Sequence, residues 1–419
     1  MPACVTYFQL HQPYRLRRFS SFDAGSQYFD SDRNAAILER VASKCYRPAT
    51  ELLLRLVRRY RGEFRVSLSI SGVLIEQLQA HAPDVLEMIR ELARSGCCEL
   101  LAETYYHSLA SLYSTREFAE QVEMHCACME RQFGATPRTF RNTELVYSDA
   151  IAQAVARMRD GAGRFRFDAI LAEGVDRVLG GRSADQVFAS GAANLKVLAR
   201  NYRLSDDIAF RFSNRAWEEW PLSATKFASW VAESPGPVVG LFMDLETFGE
   251  HQWEESGIFD FLADLPERLL SRGIGLLTPA EAAARVPARE AFSSPRPISW
   301  ADNERDLTAW AGNAMQQAAL ADLYDLEPLV RAAAGQEGAG GEGLIRDWRR
   351  LTTSDHFYYM CTKYFADGDV HKYFNPYESP YDAYINFGNV LDGVRARASA
   401  SVGVDAVQAV HAPTPSRVE

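Results

Sequence analysis

Nowhere in the 419 residues do about 18 uninterrupted apolar residues occur, so no membrane-spanning helix is expected. The start, Met1-Pro-Ala-Cys-Val-Thr-Tyr-Phe-Gln-Leu-His11, has neither a basic opening nor an apolar run of signal-peptide length. The chain therefore reads as soluble and cytoplasmic. Cysteine is scarce: Cys4, Cys45, Cys97, Cys98, Cys126, Cys128 and Cys361 are odd in number and lack the spacing of a disulfide framework, which fits a reducing compartment. Cys126-x-Cys128 lies inside a helical pattern, and structural zinc sites use two or more spaced pairs, so no metal is expected there. Positive charge is short as well. Lys plus Arg number 45 against 55 Asp plus Glu, and the net charge of -10 repels phosphate backbones and anionic lipid, which argues against nucleic-acid and membrane partners. No internal repeat is visible, and nothing in the sequence fixes an oligomeric state.

What is present is ample apolar material. With 47% hydrophobic and 24% charged residues the chain can bury a large core, as one large or two modest domains. To about residue 290, short apolar β-branched runs alternate with amphipathic helical runs, the pattern of parallel strands joined by crossover helices. Candidate strands are Cys4–Gln9, Phe64–Ile70, Cys97–Ala102, Arg138–Arg141, Ala169–Ala172, Lys196–Ala199 and Pro237–Met243. Helices are expected at Arg33–Tyr60, Pro83–Ser95, Thr115–Phe133 and Ser148–Met158, among others.

Polar residues follow these strands directly: His11-Gln-Pro, Gly72-x-x-x-Glu76, Glu103-Thr-Tyr-Tyr-His107, Arg141-Asn-Thr-Glu144, Glu173-Gly, Arg200-Asn and Asp244-x-Glu246. One such residue is an ordinary loop residue; seven together fit a barrel of parallel strands whose C-terminal ends form a single catalytic face.

Beyond Pro295-Arg-Pro297 the alternation stops. Leu307–Arg331, Leu344–Phe365 and Pro380–Arg397 read as helices, the last with Ser379 as N-cap and Pro380 in its first position. The glycine-rich run 333–343 has no preceding strand and no Lys-Ser/Thr ending, so it is expected as a flexible connection and not a phosphate loop. The tail from about Ser399 is expected to be disordered. The resulting division is 1–295, 296–398 and 399–419.

Glu144 and Asp244 each end an apolar, strand-like run, and paired carboxyl groups are the working parts of glycoside hydrolysis. The strings around them are more specific than the pairing. His11-Gln-Pro13, Gly72-Val-Leu-Ile-Glu76, Arg141-Asn-Thr-Glu144, Asp244-Leu-Glu-Thr-Phe-Gly-Glu250 and Ser354-Asp-His-Phe-Tyr358 occur in order, and together they resemble the five motifs of glycoside hydrolase family 57. Glu103-Thr-Tyr-Tyr-His-Ser-Leu-Ala110 and Leu204-Ser-Asp-Asp-Ile-Ala-Phe-Arg-Phe-Ser213 are similar to its short, α-amylase-like members.

The resemblance covers about residues 4 to 395. It implies a seven-stranded (β/α) barrel followed by a helical bundle that completes the active site, with no essential metal or organic cofactor. It implies a retaining cleavage of α-1,4-glucans, with Glu144 as nucleophile, Asp244 as general acid/base and Asp355 as a sugar-binding residue of the helical region. His11, Glu76, His107, Glu246, Trp253 and His356 are further candidates for gripping an α-glucan or maltooligosaccharide, through hydrogen bonds to hydroxyls and aromatic contact with the sugar face. One departure is Gly181, where many relatives carry Trp; it bears on substrate length and affinity. Alternatives are a 4-α-glucanotransferase, which shares the covalent intermediate, a non-catalytic glucan-binding protein, and a metal-dependent deacetylase-like hydrolase using His11, His107, Asp244 and His251.

Overall fold

The computed structural model describes residues 2–402 except 21, 24, 192–194, 337–338 and 364–374. They form two compact units. One holds the described residues of Met1–Gln12, Ala35–His107 and Thr115–Leu307; the other holds those of Pro13–Asn34, Ser108–Ser114 and Thr308 onward. Among the described residues no helix is long and apolar enough to cross a membrane.

The first unit is built on one sheet. Its strands are β1 (Ala3–Leu10), β2 (Val66–Ile70), β3 (Cys98–Leu100), β4 (Thr139–Arg141), β5 (Ala169–Glu173), β6 (Val187–Ala189), β7 (Lys196–Arg200), β8 (Val238–Asp244) and β9 (Gly275–Leu277). All seven expected strands are found, in the order β3-β2-β1-β8-β7-β5-β4, each parallel to its neighbours. The sheet curls until its outer strands meet just past the end of β3. There Ala102 N donates to Thr139 O at 3.0 Å and Arg141 N donates to Ala102 O at 2.8 Å. The result is barrel-like. β6, antiparallel to β7, and β9, parallel to β1, were not expected; at three residues each they are too short to show a period.

The strands read as near-continuous apolar runs because both faces are covered. Alternate side chains still part company. Cys4, Phe8 and Leu10 of β1 and Val239, Leu241 and Met243 of β8 join the core beneath the helices, with Leu52, Leu53 and Leu56 of the helix Arg47–Tyr60. Val5 and Tyr7, with Val238 and Phe242, join a separate inner cluster with Leu101, Leu171 and Leu198. The period of two therefore sends Gln9, Ser69, Arg141, Glu173, Arg200 and Asp244 inward at the ends of their strands.

The single helix expected over Arg33–Tyr60 is instead Ser31–Val41, a π-turn at Ala42–Tyr46, and Arg47–Tyr60. The π-turn packs on the loop after β8, where Cys45 Sγ lies 3.2 Å from Leu245 O and Tyr46 Oη donates to Glu246. Cys126 and Cys128 lie on the helix Thr115–Phe133 as free thiols.

The second unit is mainly helical, with Ala314–Asp325, Glu327–Gln336, Ala339–Leu351, Ser354–Tyr358 and Pro380–Ser401 as its longer elements. Ser379 caps the last as expected. The irregular segment before Tyr28 is tied to that helix: Phe19 N donates to Asn386 Oδ1 at 2.8 Å, and Asn386 Nδ2 donates to Arg17 O at 3.0 Å. The glycine-rich run does not form the flexible connection expected of it. Helix occupies it except at 337–338, which lie outside the described residues. Packing overrides the helix cost of glycine, about 1 kcal/mol per residue: Ala333 and Leu344 are buried, and a Cβ at Gly341 would come within 2.3 Å of Ala334 O. The expected disordered tail begins inside the helix that ends at Ser401, and 403–419 lie outside the described residues.

The π-turn contact can be tested through Gly249. Its φ is +109°, and a Cβ there would lie 1.9 Å from Lys44 O. Gly249→Ala should lower the melting temperature well beyond Gly257→Ala, whose φ is +81° but whose Cβ would meet nothing within 4 Å. The first adds overpacking, typically about 1–3 kcal/mol, to the backbone cost that both share. Equal melting temperatures would refute the close approach.

Candidate active site

The strand ends deliver a buried polar layer above the apolar inner cluster. Glu144 stands in a one-turn 3-10 segment, Thr143–Leu145, directly after β4. Its φ of 58° and the 51° of Leu145 are left-handed values, as is the 51° of His107. Non-glycine residues hold such values at a cost of about 1–3 kcal/mol, and they persist only where surrounding contacts over-determine them.

Those contacts are present at Glu144. His107 Nε2 lies 3.2 Å from Glu144 Oε1, and Trp300 Nε1 donates to Glu144 Oε2 at 2.7 Å. On its other side His107 Nδ1 lies 2.7 Å from Glu103 Oε2. Glu103 Oε1 accepts from Ser69 Oγ at 2.7 Å and from Gln9 Nε2 at 3.1 Å, and Tyr7 Oη donates to Gln9 Oε1. The ring of His11 stacks on that of His107 with centroids 3.9 Å apart, its Nδ1 2.7 Å from Ser71 Oγ. The Arg141 guanidinium is buried, meets no hydrogen-bond acceptor among the described residues, and lies over the Trp300 ring at 4.8 Å.

These contacts set the charges. Burial alone would raise the Glu103 carboxyl, but the bond to His107 and the charges of His107, His125 and Arg141 bring it down to about 2. Burial alone would neutralise His107; its bonds to Glu103 and Glu144 raise it to about 9 instead. At Glu144 burial again pushes upward, and His107, Arg141 and Trp300 outweigh it, so its pKa falls below the ordinary carboxylate value. Asp244 goes the other way. Burial and the neighbouring negative charge of Glu144 raise it to about 6, against the smaller opposing effects of Arg141, His107 and Arg200. Near neutrality the layer thus holds an ionised Glu144 and a carboxyl at Asp244 that titrates in the working range.

Glu246 also lies beside Asp244, and burial with that charge raises its pKa while Tyr46 and Gln12 hydrogen-bond to it. The structure thus brings His11, His107, Glu144, Asp244 and Glu246 into one interacting set. Glu76 stands on the helix Gly72–His81 and accepts from Tyr105 Oη at 3.0 Å. Trp253, 67% exposed, sits in the loop after β8. Asp355 and His356 belong to the second unit, on the helix Ser354–Tyr358, where His356 is buried with Nε2 3.2 Å from Arg350 O. Gly181 has a φ of +85°, so a Trp there would require a different local backbone.

Sequence reasoning missed several members. Glu103 was visible within its motif but not singled out, although its spacing to His107 is that of a local pair. Trp300, in irregular chain far from any motif, gave no signal. In the buried ion-pair ring, where Arg200 and Arg305 each bond both Glu173 and Asp206, Glu173 and Arg200 stood out at strand ends and Asp206 within a motif, whereas Arg305 gave no signal. The metal-ligand alternative loses its geometry: both His107 nitrogens are engaged by carboxylates and His11 Nδ1 by Ser71. Among the described residues no group of three or more His, Cys, Asp or Glu is placed to hold a metal ion.

The sequence profile described as Glycosyl hydrolase family 57 matches residues 5–295. The chain is similar to a candidate alpha-amylase of Methanocaldococcus jannaschii, 39% identical over 396 residues that cover 92% of this chain and 82% of that protein. Among solved structures it resembles a GH57 branching enzyme of Thermococcus kodakaraensis, with a TM-score of 0.64, 14% identity, and coverage of 95% of this chain and 94% of that one. It also resembles a 4-alpha-glucanotransferase of Thermococcus litoralis, with a TM-score of 0.55 and 18% identity, matching 89% of this chain but spanning only 54% of that one. At these identities the two structures speak to fold alone.

The charge assignment predicts an imidazolium at His107 well above neutrality. Its ring signals in NMR should remain those of the protonated form through pH 8 and change near 9, where its contribution to stability is lost as pH rises. Glu103→Gln removes one of the two carboxylates that oppose burial, so the His107 transition should move to lower pH. A His107 that titrates near 6.5 in both proteins would refute the pairing.

Proposed function

The chain belongs to glycosyl hydrolase family 57, and from that membership we propose that it cleaves α-1,4-glucans with retention of configuration, through a covalent glycosyl-enzyme intermediate. The observation that carries this reading is the unlike surroundings of two neighbouring carboxyl groups past the strand ends. Glu144 is held ionised by two donors, while Asp244 is held toward its acid form by burial and by the charge of Glu144.

In the first step a Glu144 oxygen attacks the anomeric carbon as the glycosidic C–O bond breaks, and Asp244 gives its proton to the departing oxygen. As Glu144 loses its negative charge to the new bond, Asp244 is left as the carboxylate. It then takes a proton from water, whose oxygen displaces Glu144 at the same carbon. Two displacements restore the original configuration. Because the charge of Glu144 is itself a cause of the raised Asp244 pKa, forming the covalent bond lowers that pKa and readies Asp244 for its second role as base.

His11 and Glu246, within this set, are assigned to sugar hydroxyls, and the exposed indole of Trp253 to the face of a sugar further along the chain. A neutral polysaccharide suits a protein whose net charge of -10 disfavours anionic partners.

Glu144→Gln should leave less than about a tenth of wild-type activity on every maltooligosaccharide, with the fold intact by circular dichroism. Asp244→Asn should cost about 10²–10⁴-fold on glucans, and much less on glycosyl fluorides, whose leaving group needs no proton. In the wild type kcat/KM should fall as pH rises through about 6, as Asp244 loses its proton, and this limb should vanish in Asp244→Asn. Substantial activity in Glu144→Gln would remove the nucleophile assignment.

The stereochemical course is a separate prediction. Proton NMR in the first minutes of maltooligosaccharide cleavage should show the α-anomer before mutarotation. A β-anomer formed first would mean a single displacement.

A further inference from the structure

Resting on the reading of Glu144 as nucleophile, we propose that Trp300 is a positioning residue for it. Its indole N–H and main chain, held against the Arg141 and Arg200 guanidinium groups, fix the Glu144 carboxylate in its reactive orientation.

Trp300 reaches Glu144 twice. Its Nε1 donates to Glu144 Oε2 at 2.7 Å, and its backbone N donates to Glu144 O at 3.2 Å. Two residues earlier Ile298 exchanges a pair of 2.9 Å bonds with Tyr147, N to O in both directions. The segment 298–300 thus runs antiparallel to 144–147 as a short strap over the strained turn. Since Glu144 and Leu145 both hold left-handed φ values, the turn needs contacts of this kind to persist.

The indole is itself held. Arg141 and Arg200 lie over its ring at 4.8 and 5.8 Å. Arg200 cannot swing away: its Nε donates to Phe242 O at 2.7 Å, and its other nitrogens bond Glu173 at 3.1 Å and Asp206 at 2.6 Å. Arg305 bonds the same two carboxylates at 3.0 Å each, and Ser299 N donates to Arg305 O at 3.2 Å, closing the turn that carries Trp300. With cations over its ring, the indole is occupied as a brace; its N–H supplies Glu144 with a charge-assisted bond to the oxygen that His107 leaves open.

Trp300→Phe keeps the ring and deletes the N–H. The groups facing Glu144 are His107, Arg141 and Asp244, with Glu103 behind His107, and all remain in this variant. The expected result on a maltooligosaccharide is a kcat at least about tenfold lower with KM within about twofold. The acid limb of kcat/KM should move upward by about one pH unit, because the ionised carboxylate has lost a donor. The alkaline limb, set by Asp244, should stay. Unchanged kcat and limb, a raised KM alone, or a lower melting temperature with an unchanged profile would each overturn the proposal, and with Glu144→Gln still inactive the proposed function would stand. Activity retained in Glu144→Gln would instead remove the nucleophile reading and this role with it. Should Trp300→Phe fail to fold, the wild type provides the test. One of the indole N–H resonances of its seven tryptophans should titrate in acid and cease to do so in Glu144→Gln, and the lack of any such resonance overturns the proposal.

Discussion

A buried imidazolium between one buried carboxylate, Glu103, and one half-buried carboxylate, Glu144, is the constraint on which the rest of the site depends. His107 is almost wholly enclosed, as is Glu103, and burial by itself would discharge both. Each stays charged only because the other is 2.7 Å away and Glu144 lies beyond. Removing one partner from such a pair leaves an uncompensated buried charge, typically a loss of about 3–5 kcal/mol. The remaining acceptor capacity of Glu103 is therefore met as well, by Ser69, Gln9 and, through Gln9, Tyr7. Three strands, β1, β2 and the extension of β3, are committed to keeping one histidine charged.

From that commitment follows the division of labour between Glu144 and Asp244. Both end on the same face and both are partly drawn from water, yet of the two only Glu144 receives donors on each oxygen from the described residues. Asp244, at the end of β8, has burial and its neighbour's charge acting on it, and both raise its pKa. Environment separates two carboxyl groups that differ by only a methylene, and their order would reverse if His107 and Trp300 faced Asp244 instead.

The parts legible in the sequence are those governed by period. Seven apolar runs announce seven strands, and polar residues where the runs end announce the catalytic layer: Asp244 closes β8 in phase with Val238 and Phe242, and Glu173 closes β5 in phase with Ala169 and Leu171. What period does not reach stayed hidden. β6 and β9 are too short to repeat, and the π-turn at Ala42–Tyr46 adds a residue to a turn without altering an amphipathic pattern. The run 333–343 looks flexible by composition, but a glycine can also admit a neighbouring backbone, as Gly341 does at Ala334. Trp300 lay beyond reach because its role comes from a strap paired over some 150 residues of sequence, and no local rule connects 298–300 with 144–147.

The apolar floor beneath the polar layer gives these charges their leverage. Val5, Tyr7, Leu101, Leu171, Leu198 and Phe242 fill the inside of the curled sheet directly below Gln9, Glu103, Arg200 and Asp244. Water cannot approach from that side, so a charge in the layer is screened by its neighbours and not by solvent, and each pairwise interaction is several-fold stronger than it would be in water. The same floor explains why Arg141, whose guanidinium meets no acceptor among the described residues, still acts on Glu103, Glu144, Asp244 and Tyr7 together. In water such a cation would act on none of them beyond a few ångströms; above a dry floor it acts on the whole layer, and the strand alternation that buries Leu171 and Leu198 is thereby part of what sets the charge on Glu144.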